Sequence, residues 1–432
     1  MIPIYERGDY ESLVTFEDNK RTPVHNWFYY KEGYSNKIIS KLACDLVKEN
    51  IIDLKIPTGS KGSKKRPILL DPFCGTGTTV LAGIDMGFNA IGFDITPLSV
   101  FVTKVKTQRY DILALKKAAD MIVHLKFKKP AIKWQKLKIV DINRAFNKYA
   151  REDMLFLKEN IEKFYMDGYF DEKARDFLML ALISIVPEVS NTVKDGGFLR
   201  IVKKRHTPPV RHKFKQKLKK MIRNFNNPQS MEFQDNLQDN LQGNLPEALV
   251  DLADARSLPL ADESVDLVIT SPPYLNMVDY TKIYVIESSL ISNLTEIEKA
   301  RSLSVRSSLG SDYNVKDSAI KSTVEKIIKD TSGYDFRLRS QTGVSGTIVG
   351  YFEDMYIAAG QMYRVLKKGG AACIVIGNSC FPEGVINCDE VLAATGEELG
   401  FDVVGIWSAK KRVCPRGAVR DTARESIVIL KK

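Results

Sequence analysis

The feature that constrains this chain most is the segment Pro67-Ile68-Leu69-Leu70-Asp71-Pro72-Phe73-Cys74-Gly75-Thr76-Gly77. A short apolar run that ends in an acid and breaks into a glycine turn reads as a buried strand followed by a tight loop. From Thr78 a helix fits, with Gly87 as its stop, and Asn89-Ala90-Ile91-Gly92-Phe93-Asp94 follows as a second strand. Strand, glycine loop, helix and parallel strand form the unit from which open α/β sheets are built. Its loop lets backbone N–H groups and a helix N-terminus approach a ligand closely, a role open to Gly75 and Gly77. Asp94, at the end of the second strand, is placed to accept hydrogen bonds from ribose hydroxyls; a helix cap before Pro97 is the lesser alternative. A dinucleotide fingerprint is disfavoured, because Phe73 and Cys74 separate Asp71-Pro72 from Gly75 and no third glycine follows at the usual offset.

Further along, Val265-Asp266-Leu267-Val268-Ile269-Thr270 reads as another apolar strand, and it runs directly into Ser271-Pro272-Pro273-Tyr274. A helix over Phe352 to Leu366, a turn at Lys367 to Gly370 and strands at Ala371 to Ile376, Asp402 to Trp407 and Ser426 to Leu430 complete the pattern. Alternating strands and helices predict a mainly parallel sheet covered on both faces. Ser271 can supply a hydroxyl acceptor, Pro272 a carbonyl acceptor on a backbone stiffened by Pro273, and Tyr274 a flat face for stacking. In isolation Ser-Pro-Pro-Tyr is an ordinary loop after a strand; its position in a chain that also carries the glycine loop gives it meaning.

The two motifs together resemble the S-adenosylmethionine-dependent DNA amino-methyltransferases, whose cofactor loop reads Asp-Pro-Phe-Cys-Gly-Ser/Thr-Gly and whose base-binding motif is of the Ser-Pro-Pro-Tyr type. The resemblance spans roughly residues 25–107 and 248–432. It implies a Rossmann-like α/β fold with a mainly parallel seven-stranded sheet, helices on both faces and a helical insertion. It implies S-adenosyl-L-methionine as cofactor, held by Tyr30, Asp71, Pro72, Phe73, Cys74, Gly75, Thr76, Gly77, Thr78, Thr79, Asp94, Ile95, Asp254 and Ala255. Within that set Asp71 lies near the methionine amino group, Asp94 holds the ribose, and Asp254 contacts the adenine region. The segment His25 to Ser35, which includes Tyr30, resembles the part that closes over the methionine end; its aromatic residues fit a hydrophobic plug equally well.

By the same resemblance Ser271, Pro272, Pro273 and Tyr274 are catalytic. The Ser-initiated motif is typical of methylation at N4 of cytosine, and Asp- or Asn-initiated versions of methylation at N6 of adenine. The expected activity is therefore site-specific cytosine-N4 methylation of double-stranded DNA by direct in-line transfer to a flipped base, as the modification half of a restriction system with a possible cognate endonuclease. Adenine N6 and an RNA substrate (tRNA guanine N2) are the alternatives. Attack by a thiol at carbon 5 of cytosine is disfavoured, because Cys414 precedes Pro415 instead of following a proline.

Charge adds a partner. The chain has 432 residues and a net charge of +11, of which Lys203 to Arg223 holds ten Lys or Arg and no acid. One concentrated basic stretch on a nearly neutral body suggests a polyanion, with Lys203, Lys204, Arg205, Arg211, Lys213, Lys215, Lys217, Lys219 and Lys220 as candidate DNA contacts; a solvated helix face is the bland alternative. The expected organisation is a first core part at 1–107, a helical insertion with basic segment and linker at 108–247, and a second core part at 248–432. A polar, Ser-rich insertion at 281–347 is the expected reader of the target. The repeat Asp235 to Pro246 reads as linker. No apolar run reaches the ~18 residues of a membrane span, and Met1 to Glu6 lacks the features of a signal peptide, so a cytoplasmic location is expected. Six cysteines with no Cys-x-x-Cys pair, and four histidines without ligand spacing, predict reduced thiols and no metal.

Overall fold

In the computed structural model the described residues are 2–54, 66–204, 206–225, 245–275, 279–307, 318–332, 344–381, 384–414 and 422–432. The apolar strands alternate between two buried faces, and this alternation builds the core. Leu69, Leu267, Ile269, Cys373, Val375, Ile427 and Ile429 point to one face, where helix α1 (Lys37–Lys48) packs through Ile38, Ile39, Leu42 and Leu46. Leu70, Val268, Ile374, Ile376, Val428 and Leu430 point to the other, against helices Val344–Val365 and Cys388–Glu398. Strands that are apolar on both sides have the composition a covered parallel sheet requires.

Eight strands form the main sheet: β1 (Ile4–Glu6), β2 (Ile68–Asp71), β3 (Asn89–Asp94), then, after a small hairpin of β4 (Thr192–Asp195) and β5 (Phe198–Ile201), β6 (Ala248–Leu252), β7 (Val265–Thr270) and β8 (Leu366–Gly377). The short pair β9 (Ser379–Phe381) and β10 (Gly384–Ile386) lies outside the sheet, which finishes with β11 (Asp402–Val413) and β12 (Thr422–Lys431). Their spatial order is β1-β11-β12-β8-β7-β2-β3-β6, and only β12 runs against its neighbours. The fold is the expected Rossmann-like one, with a correction to the strand count. The eighth strand is the three-residue β1, added parallel to β11 at the edge; it is too short and too exposed to show a periodic pattern. The predicted turn Lys367 to Gly370 is absorbed into β8 as an irregularity opposite Val265 and Leu267, with Gly369 at φ +80°.

Helices α2 (Thr78–Asp85) and α3 (Pro97–Thr107) make the crossovers after β2 and β3. Beyond α3 the chain is helical as expected, and α3 shares a core with these helices through Leu98, Val102 and Val105 against Phe177, Leu180 and Met221. Gly196 at φ +56° turns the β4–β5 hairpin within this region. Much of 281–347 is helix: Val285–Ile291 packs into that same core through Ile286 and Leu290, and Ser318–Ser332 packs on the sheet side through Val324 and Ile328. The linker repeat through Asn244 lies outside the described residues.

The expectation of reduced thiols is corrected at one pair. Cys380 and Cys414 form a disulfide with Cα atoms 6.1 Å apart, which ties β9 to the end of β11. The bond joins residues 34 apart in sequence, so no local spacing advertised it. Cys44, Cys74, Cys373 and Cys388 are free thiols. Among the described residues no helix is long and apolar enough to cross a membrane, and no group of three or more His, Cys, Asp or Glu could hold a metal ion.

Candidate active site

Parallel strands that end in loops at one edge of the sheet leave a crevice there, and β2, β3 and β7 bring Asp71, Asp94 and Thr270 to it. Asp71 closes β2 and is 3% exposed. Its carboxylate accepts from Thr270 Oγ1 at 2.6 Å, Thr79 Oγ1 at 2.6 Å and the Phe73 amide at 3.1 Å, with Tyr34 Oη at 3.5 Å. Thr270 immediately precedes Ser271 and is itself fully buried. One carboxylate therefore locks the start of the glycine loop to the start of Ser-Pro-Pro-Tyr. Burial pushes the Asp71 pKa up to about 6, against the pull of these three donors.

The glycines shape the loop by conformation. Gly75 and Gly77 have φ of +50° and +80°, a region other residues enter at a cost. A Cβ on Gly77 would lie 2.5 Å from Thr103 Cγ2. Their amides do not wait for a ligand: Gly75 N–H donates to Asp94 Oδ2 at 3.0 Å and Gly77 N–H to the Cys74 carbonyl at 2.8 Å. Helix α3 pins the carbonyls from below, Thr103 Oγ1 donating to Gly75 O at 3.0 Å and Lys106 Nζ to Thr76 O at 2.9 Å. Lys106 is 2% exposed, and burial pushes its pKa down to about 7. No sequence motif marks either residue; both lie on the buried side of an amphipathic helix.

The Asp94 carboxylate accepts from the Thr96 amide at 2.8 Å and from Thr96 Oγ1, so it does hold the turn before Pro97. It also lines the cavity. Burial raises its pKa, an effect these hydrogen bonds oppose. Asp254 caps its own turn by accepting from the Arg256 amide at 2.9 Å, and its carboxylate pairs with the Arg256 guanidinium at 2.7 Å. Arg256 in turn reaches the buried Asp354 at 3.0 Å.

Above the loop, the Tyr30 ring stacks on Tyr284 at 4.8 Å and on Tyr280 at 5.8 Å between centroids, and its edge stands 3.6 Å from where a Cβ on Gly75 would be. Tyr30 and Tyr280 form part of the wall of an open cavity of about 1250 Å³, counted with its mouth. Of the residues the sequence proposed for the cofactor, Tyr30, Asp71 to Thr76, Thr78, Asp94, Ile95, Asp254 and Ala255 line it. Gly77 and Thr79 do not; they form the support beneath, through the Gly77 turn and the Thr79 bond to Asp71. The wall also includes Ser271, Pro273, Glu32 and Tyr280. Apolar walls at Phe73, Ile95 and Tyr30 and the carboxylates of Asp94 and Glu32 suit a nucleoside with a cationic amino-acid tail, so the residues present fit S-adenosylmethionine.

A second cavity, about 1120 Å³ with its mouth, adjoins the first and shares Ser271, Tyr280, Tyr34, Gly33 and Glu32 with it. Pro272 and Tyr274 line only this second space. Tyr274 is seated on β8, its ring so near Gly377 that a Cβ there would lie 2.8 Å from Tyr274 Cε2. Its hydroxyl donates to Glu425 Oε1 on β12 at 3.0 Å. Burial raises the pKa of both groups, with the Glu425 charge adding to the rise on Tyr274. Glu425 stands 151 residues from Tyr274 in a strand that reads as ordinary core, and only the sheet order brings the two together.

The basic stretch forms helix Val210–Asn224, with Val210, Phe214, Leu218 and Met221 buried along one side. Several of its charges are already engaged. Lys213 pairs with Glu188 at 2.7 Å, Lys217 Nζ donates to Asn26 O at 3.3 Å, Lys204 Nζ to Pro187 O at 2.8 Å and Arg211 to Leu125 O. Burial pushes the Lys217 pKa down to about 8. Lys203, Lys219 and Lys220 are exposed and Lys215 is partly so, while Arg205 lies outside the described residues.

Comparison with known proteins agrees with this geometry. Residues 60–100, the glycine loop and its flanking strands, match the DNA methylase family model N6_N4_Mtase. Over 93% of the chain and 83% of the relative, it is 26% identical to the Type II methyltransferase M.BsoBI of Geobacillus stearothermophilus. It is also 26% identical, over 90% of the chain and 82% of the relative, to the Type II methyltransferase M.AvaI of Nostoc sp.. A 50-residue stretch is 50% identical to the Type II methyltransferase M.MjaII of Methanocaldococcus jannaschii, covering 12% of this chain and 9% of that one. Fold and site define an S-adenosylmethionine-dependent methyltransferase. The matched segment and these relatives together support a DNA methylase of the N4/N6 kind, of the Type II restriction-modification type.

Proposed function

We propose that this DNA methylase acts on N4 of cytosine, extruded from a specific double-stranded site. The observation that carries the reading is Ser271: it opens a Ser-Pro-Pro-Tyr motif and forms part of the wall common to both cavities. The bound cofactor supplies an electrophilic methyl group on a sulfonium. The exocyclic nitrogen of cytosine is a weak nucleophile because its lone pair is delocalised into the ring. In this reading the Ser271 hydroxyl and the Pro272 carbonyl accept hydrogen bonds from its two N–H groups, draw electron density onto nitrogen and fix its direction; one N–H stays on the methylated nitrogen and the other proton is released to solvent. Tyr274 offers its ring to the extruded base and is held in one orientation by Glu425 and Gly377. The stacked rings of Tyr30 and Tyr280 wall the cavity beside the reacting atoms and limit the approach of water from that side.

The remaining assignments belong to the same proposal. The core is formed by 1–107 and 248–432, with 108–247 inserted. Phosphates are met by the free basic face at Lys203, Lys215, Lys219 and Lys220, and the segment 281–347 reads the bases. The protein works in the cytoplasm, beside a cognate restriction endonuclease. Tritiated S-adenosylmethionine incubated with duplex DNA, single strands and RNA tests the substrate: label should enter duplex DNA and be lost in Ser271→Ala, whose cofactor affinity should persist. Label carried equally well by Ser271→Ala would remove the serine from the chemistry.

A further inference from the structure

The acid that opens the glycine loop is the obvious partner for the ammonium of the cofactor's methionine tail, but its hydrogen-bonding capacity is largely spent. Asp71 accepts from Thr79, Thr270 and the Phe73 amide, so its two oxygens serve to join the loops. Asp94 is held by Gly75 and Thr96, and Asp254 by Arg256. Asp279 accepts from Thr281 and stands 3.1 Å from Lys282.

Glu32 differs. Its side chain is 10% exposed and lines the cavity, and only one of its oxygens is hydrogen-bonded: Oε2 accepts from Tyr284 Oη at 2.8 Å. Oε1 is buried without a hydrogen-bond partner. Lys31 Nζ stands 3.7 Å from Oε1, beyond hydrogen-bond reach, and donates instead to the Gly196 carbonyl at 3.1 Å. A buried carboxylate oxygen that accepts no hydrogen bond is costly even with a cation nearby, and burial raises the Glu32 pKa against the pull of Tyr284 and Lys31. A cationic donor from the ligand would satisfy it.

We infer that Glu32, not Asp71, is the carboxylate that receives the α-ammonium group of S-adenosylmethionine, through Oε1. The inference rests on the cofactor occupying the cavity assigned above. Tyr284 then has two tasks: it stacks under Tyr30, and it orients Glu32 by donating to Oε2. Glu32 also lies where the two cavities meet, so filling the first would order the wall of the second.

The test is calorimetric titration with S-adenosylhomocysteine and with its analogue lacking only the amino group. The native protein should prefer the amino compound by roughly ten- to a hundredfold, the worth of one charge-assisted hydrogen bond in a buried site. In Glu32→Gln that preference should shrink at least about fivefold, and in Asp71→Asn it should persist even if both affinities fall. A preference lost in Asp71→Asn and kept in Glu32→Gln overturns the inference, as does a native protein that binds the two compounds equally. Failure of the native protein to bind either compound would instead contradict the cofactor reading itself.

Discussion

Replacing Thr270 by valine tests the buried link between the two motifs with almost no change in shape. Thr270 is fully buried and donates to Asp71 Oδ1 at 2.6 Å. Removing a donor from an ionised carboxylate costs about 1.5–3 kcal/mol. The loss has a ceiling, because Asp71 can take up a proton. From a pKa of about 6, protonation at about pH 7.5 costs ~2 kcal/mol, at 1.36 kcal/mol per pH unit. A neutral Asp71 would still miss the ~1 kcal/mol of its hydrogen bond from Thr270, so the cap lies near ~3 kcal/mol and the expected destabilisation at that pH is about 1.5–3 kcal/mol.

The sign with pH follows from linkage. Burial raises the folded-state pKa of Asp71 above its ordinary value of 3.8, so the folded protein binds the proton more tightly than the unfolded chain. Stability from this group is then greatest below the unfolded pKa and is lost as pH rises through about 6. Losing Thr270 raises the pKa further and extends that decline to higher pH. Near pH 5 both proteins carry a mostly neutral Asp71, and the difference should shrink to ~1 kcal/mol, the value of a neutral hydrogen bond. Urea unfolding at the two pH values, with unchanged m-values, measures this. An equal loss at both, or less than about 0.5 kcal/mol near pH 7.5, would refute the role given to Asp71.

Other expectations follow from the same geometry. Gly77→Ala forces a left-handed alanine onto Thr103 and should cost ~2–4 kcal/mol in a thermal or urea melt while weakening cofactor binding; an unchanged melt would contradict the loop geometry. Tyr274→Phe keeps the ring but loses the bond to Glu425, and should keep more methyl transfer than Tyr274→Ala; equal defects would mean that the ring face is not used. Exchanging Lys203, Lys215, Lys219 and Lys220 for Gln should lower the salt slope of DNA binding by roughly 0.9 for each phosphate no longer neutralised. Gln at Lys213 and Lys217 should instead lower stability, since those side chains are held by Glu188 and Asn26; an unaltered slope in the first set would make the helix face merely solvated.

What could be read from the sequence was whatever local chemistry dictates. The glycine loop and its flanking strands are legible because a positive φ and an apolar run each leave a residue signature, as at Gly75, Gly77 and Ile68 to Leu70. Ser271 to Tyr274 is legible because prolines after a strand leave few alternatives. Asp71 was legible as a key residue but not in its contacts, since Thr270 lies 199 residues away. Glu425 and Lys106 were invisible for the same reason: one sits in an apolar strand and the other on a buried helix face. The basic stretch stands out by its charge, yet Val210, Phe214, Leu218 and Met221 at helical spacing make it also a core helix. The helix Leu294–Leu303 did carry a local sign, the capping box of Asn293 and Glu296, inside a segment whose serines suggested only polar chain.

The central claim is the identity of the methylated atom. Mass analysis of nucleosides from the DNA of cells expressing the native chain, beside cells expressing Ser271→Ala, tests it most directly. N4-methylcytosine should appear with the native protein and be absent with the variant. N6-methyladenine in place of N4-methylcytosine would contradict the account.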